Sequence, residues 1–321
     1  MPILCNYYIT YRCNAACDFC HFGDPSNVES VDHADSGDVF RNLAAVRRLG
    51  VKFVDFTGGE PLLHAGIPEF LRVARRLGMK TSITTNGLLY PKFAEAIRGQ
   101  VDLLHLSLDS SIPEQHDDMR GVRCFDKVME SIRIARELRE RPDILFTVSD
   151  ANSDQIAPVY DIARRHGLIL ILNPIFEYFR KETMSLRTLD LIEEYGRKPM
   201  VYVNPSFIAL RRLGGNNPRK PLCKAVSRVV VLSPQNEILL PCYHFRQEAI
   251  PIGDDLVAAY HGERVAWHRE HEGRHAFCEG CAINCYFEPS FAFPTNRFGL
   301  AAVPSKVRYG FNKYVRPKLK R

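Results

Sequence analysis

Over its first 174 residues the 321-residue chain alternates short β-type runs with longer amphipathic stretches, and that alternation leaves few folds open. The runs fall at 3–10, 51–56, 80–84, 103–108, 144–148 and 168–172. Between the first two, 36–49 places apolar residues at 39, 40, 43, 46 and 49, one face of a helical period, with Gly50 as its stop. Stretches 68–77, 91–98, 125–139 and 154–166 repeat the arrangement, and Ser153 or Asp154 is the expected cap of the last. Such alternation with short connections predicts a parallel sheet with right-handed crossovers. Six units are too few to close an eight-stranded barrel. The expected fold is therefore α/β, an open partial barrel of six βα units with its site at the C-terminal strand ends. After about Pro174 the pattern changes. Stretches 185–195 and 206–213 read as helices, 214–218 as a break, and RVVVLSPQNEILLPC as two β runs joined by a turn. We expect units at 1–205, 206–290 and 291–321.

Composition adds exclusions. With 45% hydrophobic and 25% charged residues the chain is neither disordered nor fibrous. No apolar run reaches the roughly 18 residues of a membrane span. The first residues, MPILCNYYIT, lack a basic n-region and a cleavage site, so a cytoplasmic location is expected. There the ten cysteines are expected as thiols or metal ligands rather than disulfides. Cys5 and Cys124 stand alone and read as small buried hydrophobes. The others form two groups: Cys13, Cys17 and Cys20, then Cys223, Cys242, Cys278, Cys281 and Cys285.

The first group, CxxxCxxC in YRCNAACDFC, aims three sulfurs at one centre and offers no nearby fourth. Three thiolates leave one iron of a 4Fe–4S cluster open; a zinc knuckle or a disulfide pair is the other reading. The spacing, with Phe19 before the third cysteine, resembles the signature of the radical S-adenosylmethionine (SAM) superfamily. Other motifs of that resemblance follow in order. Thr57-Gly58-Gly59-Glu60-Pro61 ends the second run and resembles the GGEP element that meets the SAM amino group; by itself it reads as a tight turn. TTNG, with Thr84 and Asn86, and SLDS, with Ser107 and Asp109, resemble the elements that line the methionyl and ribose groups; either alone is ordinary turn chemistry. His116-Asp-Asp-Met-Arg120-Gly121 resembles a stretch whose arginine meets the SAM carboxylate, with a surface capping arginine as the alternative.

The second cysteine group resembles the SPASM or shorter twitch extension, which binds auxiliary 4Fe–4S clusters. It departs from SPASM: Glu237 stands where that pattern has glycine, Gly253-Asp254 where it has GN, and five cysteines where it has seven. One auxiliary cluster therefore fits better than two, held by Cys223, Cys242, Cys278 and Cys281, with Cys285 as substitute or spare. A structural zinc site is the alternative.

The resemblance implies an enzyme that takes an electron from a donor such as flavodoxin or ferredoxin. It cleaves SAM to a 5′-deoxyadenosyl radical and abstracts hydrogen from a substrate. A small-molecule or lipid biosynthetic substrate is favoured over a peptide or protein, because the short N-terminus leaves no room for a leader-binding domain. A non-catalytic iron–sulfur or zinc scaffold is the reading from another class. No catalytic acid or base can be singled out: His21, His105, Tyr243 and His244 are all candidates for tuning a cluster or meeting substrate. The last sixteen residues carry seven Lys/Arg and no acid. They read as a loosely packed end, as a peripheral contact with anionic membrane, or, last, as a nucleic-acid contact that no RNA-binding motif supports.

Overall fold

The structure, a computed structural model, describes residues 1–20, 22, 33–176, 184–293 and 296–319. His21, Lys320 and Arg321 lie outside the described residues.

Strands β1 (Leu4–Thr10), β2 (Phe53–Gly58), β3 (Lys80–Thr85), β4 (Leu103–Ser107), β5 (Asp143–Val148) and β6 (Leu170–Pro174) pair in that order, all parallel. Helices α1 (Ser36–Arg48), α2 (Ile67–Arg76), α3 (Tyr90–Ile97), α4 (Pro113–Arg120), α5 (Phe125–Glu137) and α6 (Ile156–His166) connect them. A short β7 (Val201–Tyr202) extends the sheet beyond β6. On the other side β8 (Val229–Leu232) pairs parallel with β1, and β9 (Glu237–Leu240) and β10 (Glu248–Pro251) follow antiparallel. The sheet is open, with β10 and β7 at its edges, as a partial barrel requires.

The strands alternate with period two, and the alternation sorts side chains between two environments. Cys5, Tyr7, Ile9, Val54, Phe56, Ile83, Leu104, Leu106, Ile144, Phe146, Leu170 and Leu172 face the helices and join one apolar core. The opposite face carries Asn6, Tyr8, Thr10, Asp55, Thr57, Ser82, Thr84, His105, Ser107, Thr147 and Asn173. The concave side is thus largely polar, and His105 belongs to it rather than to the core.

Several expectations shift by a residue or two. Residues 51–52 and 168–169 belong to helix endings, where Val51 N–H closes on Val46 O and Leu168 N–H on Ala163 O. Neither Ser153 nor Asp154 caps α6: a 3-10 turn, Ser153–Gln155, leads into it with no side-chain cap. The HDDMRG stretch precedes α5 and forms the end of α4, closed by Gly121 in the left-handed region. The two β runs at 229–240 do form a hairpin, and it continues the same sheet as 1–174. The basic segment is not loose. Helix Arg297–Gly310 and the turns after it lie along the sheet, where Tyr309 donates to Asp143 (2.6 Å) and Lys313 pairs with Asp143 (2.8 Å) at the start of β5.

Candidate functional site

The loop Cys13–Cys20 leaves the C-terminal end of β1 and is held from two sides. On one, Gly59 N–H bonds Thr10 O (3.1 Å) and Glu60 N–H bonds Arg12 O (2.8 Å). A Cβ on Gly58 would stand 1.9 Å from Thr10 O, and one on Gly59 2.1 Å from Arg12 O. Only glycine permits this approach, so the end of β2 and the cysteine loop form one packed unit. On the other side, Ala16 N–H bonds Arg120 O (3.0 Å) and Asp18 N–H bonds Met119 O (3.2 Å). Gly121 (φ 61°) lies beneath, where a Cβ would come within 2.3 Å of Ala16 O.

Arg120 is buried, which removes the surface-cap reading. Its guanidinium pairs with buried Asp109, reaches Cys17 Sγ at 3.8 Å, and lies 5.3 Å over the Phe19 ring. Burial pushes the Asp109 carboxyl up, and the arginine beside it opposes the shift. Asp109 also accepts from Thr147 N–H (2.8 Å). Both residues are committed to bracing the loop from within, while buried Arg120 Nε has no hydrogen-bond partner among the described residues.

Glu60 is equally committed. Its carboxylate accepts from Leu62 N–H (3.1 Å) and Asn86 N–H (2.9 Å), tying the GGEP turn to TTNG, and burial raises it to about 7. Asn86 donates to Asn14 Oδ1 in the cysteine loop (2.8 Å). Thr84 and His105 share a hydrogen bond (3.2 Å) on the concave face, where Ser107 follows two residues on. The first-group thiols and the GGEP, TTNG and SLDS motifs thus gather at one end of the sheet. Three sulfurs on one loop, against a strand end that tolerates no side chain, fit a three-cysteine cluster with one iron left for a ligand. Burial pushes the metal-free Cys13 thiol up to about 12, so a cluster held there would have to displace its proton.

The second group also converges. Cys223, Cys242 and Cys281 lie within electrostatic reach of one another, and Cys278 and Cys285 each reach Cys242 and Cys281. Among the described residues, no three His, Cys, Asp or Glu side chains stand close enough to hold a single ion, in this group or in the first. Two residues that sequence reasoning passed over organise it. Buried Asn216, read only as part of a break, donates to Gly273 O (2.8 Å) and Cys278 O (3.1 Å) and accepts from Leu222 N–H (3.0 Å). Arg211 donates to Pro174 O (3.1 Å) at the end of β6 and to Ala282 O (3.1 Å) beside Cys281. Neither carries a local motif; their partners are remote in sequence.

An aromatic cluster joins the two groups. Tyr8 of β1 stacks on Tyr243, next to Cys242, with centroids 4.1 Å apart, and Phe22 lies 5.4 Å from Tyr243. His244 Nε2 stands 3.4 Å from Cys285 Sγ. The lone cysteines, Cys5 and Cys124, are buried as expected of small hydrophobes.

Residues 7–161 match the family model of the radical SAM superfamily. The chain is an enzyme of that superfamily. This sets aside the non-catalytic scaffold reading. Radical SAM enzymes use a 4Fe–4S cluster and S-adenosylmethionine. Among curated proteins, the chain is 28% identical over 211 residues to a probable GTP 3′,8-cyclase of Methanococcus maripaludis, covering 64% of this chain and 70% of that one. It is 32% identical over 174 residues to a probable GTP 3′,8-cyclase of Sulfolobus acidocaldarius, covering 52% and 55%. The chain spans about half the length of most of these relatives. Among solved structures, Streptococcus suis SuiB bound to the precursor peptide SuiA superposes with a TM-score of 0.69 at 19% identity, over 83% of this chain and 66% of that one. Native anSMEcpe with bound AdoMet superposes with a TM-score of 0.65 at 16% identity, over 98% of each. At such identities these structures bear on the fold alone.

Proposed function

We propose that this radical SAM enzyme holds its SAM-binding cluster on Cys13, Cys17 and Cys20, and one auxiliary 4Fe–4S cluster on the second cysteine group. It acts on a biosynthetic substrate. A 4Fe–4S cluster held there, given one electron by a donor such as flavodoxin or ferredoxin, would supply cleavage of bound SAM to methionine and a 5′-deoxyadenosyl radical for hydrogen abstraction from carbon. The chain's own residues position and shield. Gly58 and Gly59 bring the β2 backbone against the loop, and Glu60 locks that turn to Asn86. The Asp109–Arg120 pair holds Cys17 from behind. Thr84 and Ser107 line the concave face where SAM lies in this reading, and Tyr8, Phe22 and Tyr243 screen the space between the two cysteine groups. The observation that carries the reading is the packing of the cysteine loop on a strand end that admits only glycine.

For the substrate, we infer a small molecule or lipid before a peptide or protein. The named curated relatives are GTP 3′,8-cyclases, which supports the small-molecule side. SuiB, crystallised with its precursor peptide, keeps peptide modification as the second reading. Anaerobic reconstitution, iron counting and an assay for 5′-deoxyadenosine test the whole. About eight irons per chain and 5′-deoxyadenosine formation are expected. About four irons would leave the second group to zinc or to no metal. A fully loaded protein that makes no 5′-deoxyadenosine would sink the proposal.

A further inference from the structure

The sheet, its helices and both cysteine groups leave one extended surface unexplained: the outer side of the segment after Glu288. From Arg297 to Leu319 the described chain is helical throughout, with one π-turn at Phe311–Val315. Three of its basic side chains turn inward. Lys306 pairs with Glu288 (2.9 Å), Arg308 donates to Gly196 O, and Lys313 pairs with Asp143. These contacts fix which side faces out. The outward side carries Leu300, Val303, Val307, Phe311, Val315 and Leu319, spaced three or four residues apart and between 41 and 72% exposed. At 1.5 Å per residue, residues 300–319 form an apolar stripe of about 28 Å. A stripe of that extent on an otherwise polar surface marks an interaction site.

Charge selects the partner. From 289 to 321 the sequence holds eight Lys/Arg and no Asp or Glu. Arg316 and Lys318 flank the distal end of the stripe, where neither has an acidic partner within the segment. A second copy would set one such segment against another, like charge facing like. A surface of anionic headgroups is complementary to it. No helix among the described residues is long and apolar enough to cross a membrane, so the segment would lie on the surface rather than span it. Phe311 would sit at the boundary between headgroups and acyl chains.

We propose that this helical segment docks the enzyme on an anionic phospholipid bilayer, apolar stripe inward. The proposal does not depend on the substrate or on SAM cleavage. The test is co-sedimentation of the reconstituted full chain with phosphatidylcholine vesicles, with and without phosphatidylglycerol. Wild type is expected to sediment with the anionic vesicles and to be released by high salt. The triple variant Val307→Ser/Phe311→Ser/Leu319→Ser removes exposed side chains only and is expected to weaken partitioning at least about tenfold, with circular dichroism and iron content unchanged. Arg316→Gln/Lys318→Gln is expected to weaken binding to anionic vesicles alone. Wild type remaining in the supernatant with both vesicle types would overturn the proposal, as would a triple variant that binds like wild type. A wild-type dimer that the triple variant dissolves, with no vesicle binding, would give the face to a second copy instead.

Discussion

At the scale of single residues, His105 separates what a strand's sequence says from what its neighbours decide. LLHLSL allows a histidine on either face. Period two places His105 with Ser107 on the concave side, bonded to Thr84 and 3.8 Å from Asp143. Burial there lowers its pKa to about 4 from an ordinary 6.5. The folded state thus binds fewer protons than the unfolded one below pH 6.5. The contribution of neutral His105 is complete above that pH and is lost as pH falls toward 4, at most about 3 kcal/mol. His105→Gln should flatten this acid limb in urea unfolding followed at several pH values; an unchanged limb would assign it to other groups. Asp109 and Arg120 teach a related lesson. Their motifs mark the right strand end and helix, and their contacts add a buried brace for Cys17 that no motif shows.

At the scale of elements, the two cysteine groups are built differently. The first is local: eight residues of one loop, clamped by the ends of β2 and α4. Its motifs were legible because each lies within a few residues of a strand end. The second draws on three separate segments, around 223, 242 and 278–285, and Asn216 binds the first to the third through backbone groups at 222, 273 and 278. Asn216→Ala is expected to leave the first site loaded while total iron falls from about eight to about four per chain. Iron analysis with EPR of the reduced protein distinguishes this from general unfolding, which would empty both sites. A variant with full iron would show that the five cysteines organise themselves.

At the scale of the whole molecule, the segment after Glu288 completes the sheet as well as presenting its outer face. Lys313 and Tyr309 meet Asp143 at the N-terminal end of β5, opposite the end that carries the cysteines. Lys313→Met leaves the buried Asp143 carboxylate without its cation and should cost about 3 kcal/mol in unfolding free energy, read from the urea midpoint. Restoration of most of that loss by adding Asp143→Asn would identify the unpaired charge as the cause. The chain's sequence determined the six parallel βα units, the hairpin at 229–240 and the three-cysteine loop, because periodicity and spacing act over a few residues at a time. Tertiary structure alone decided that the hairpin continues the sheet beside β1, that Asn216 and Arg211 order the second cysteine group, and that the basic segment turns three cations inward and an apolar stripe outward. Each of these depends on partners far apart in the chain, up to 225 residues for Leu4 and Val229, a separation over which no local pattern carries information.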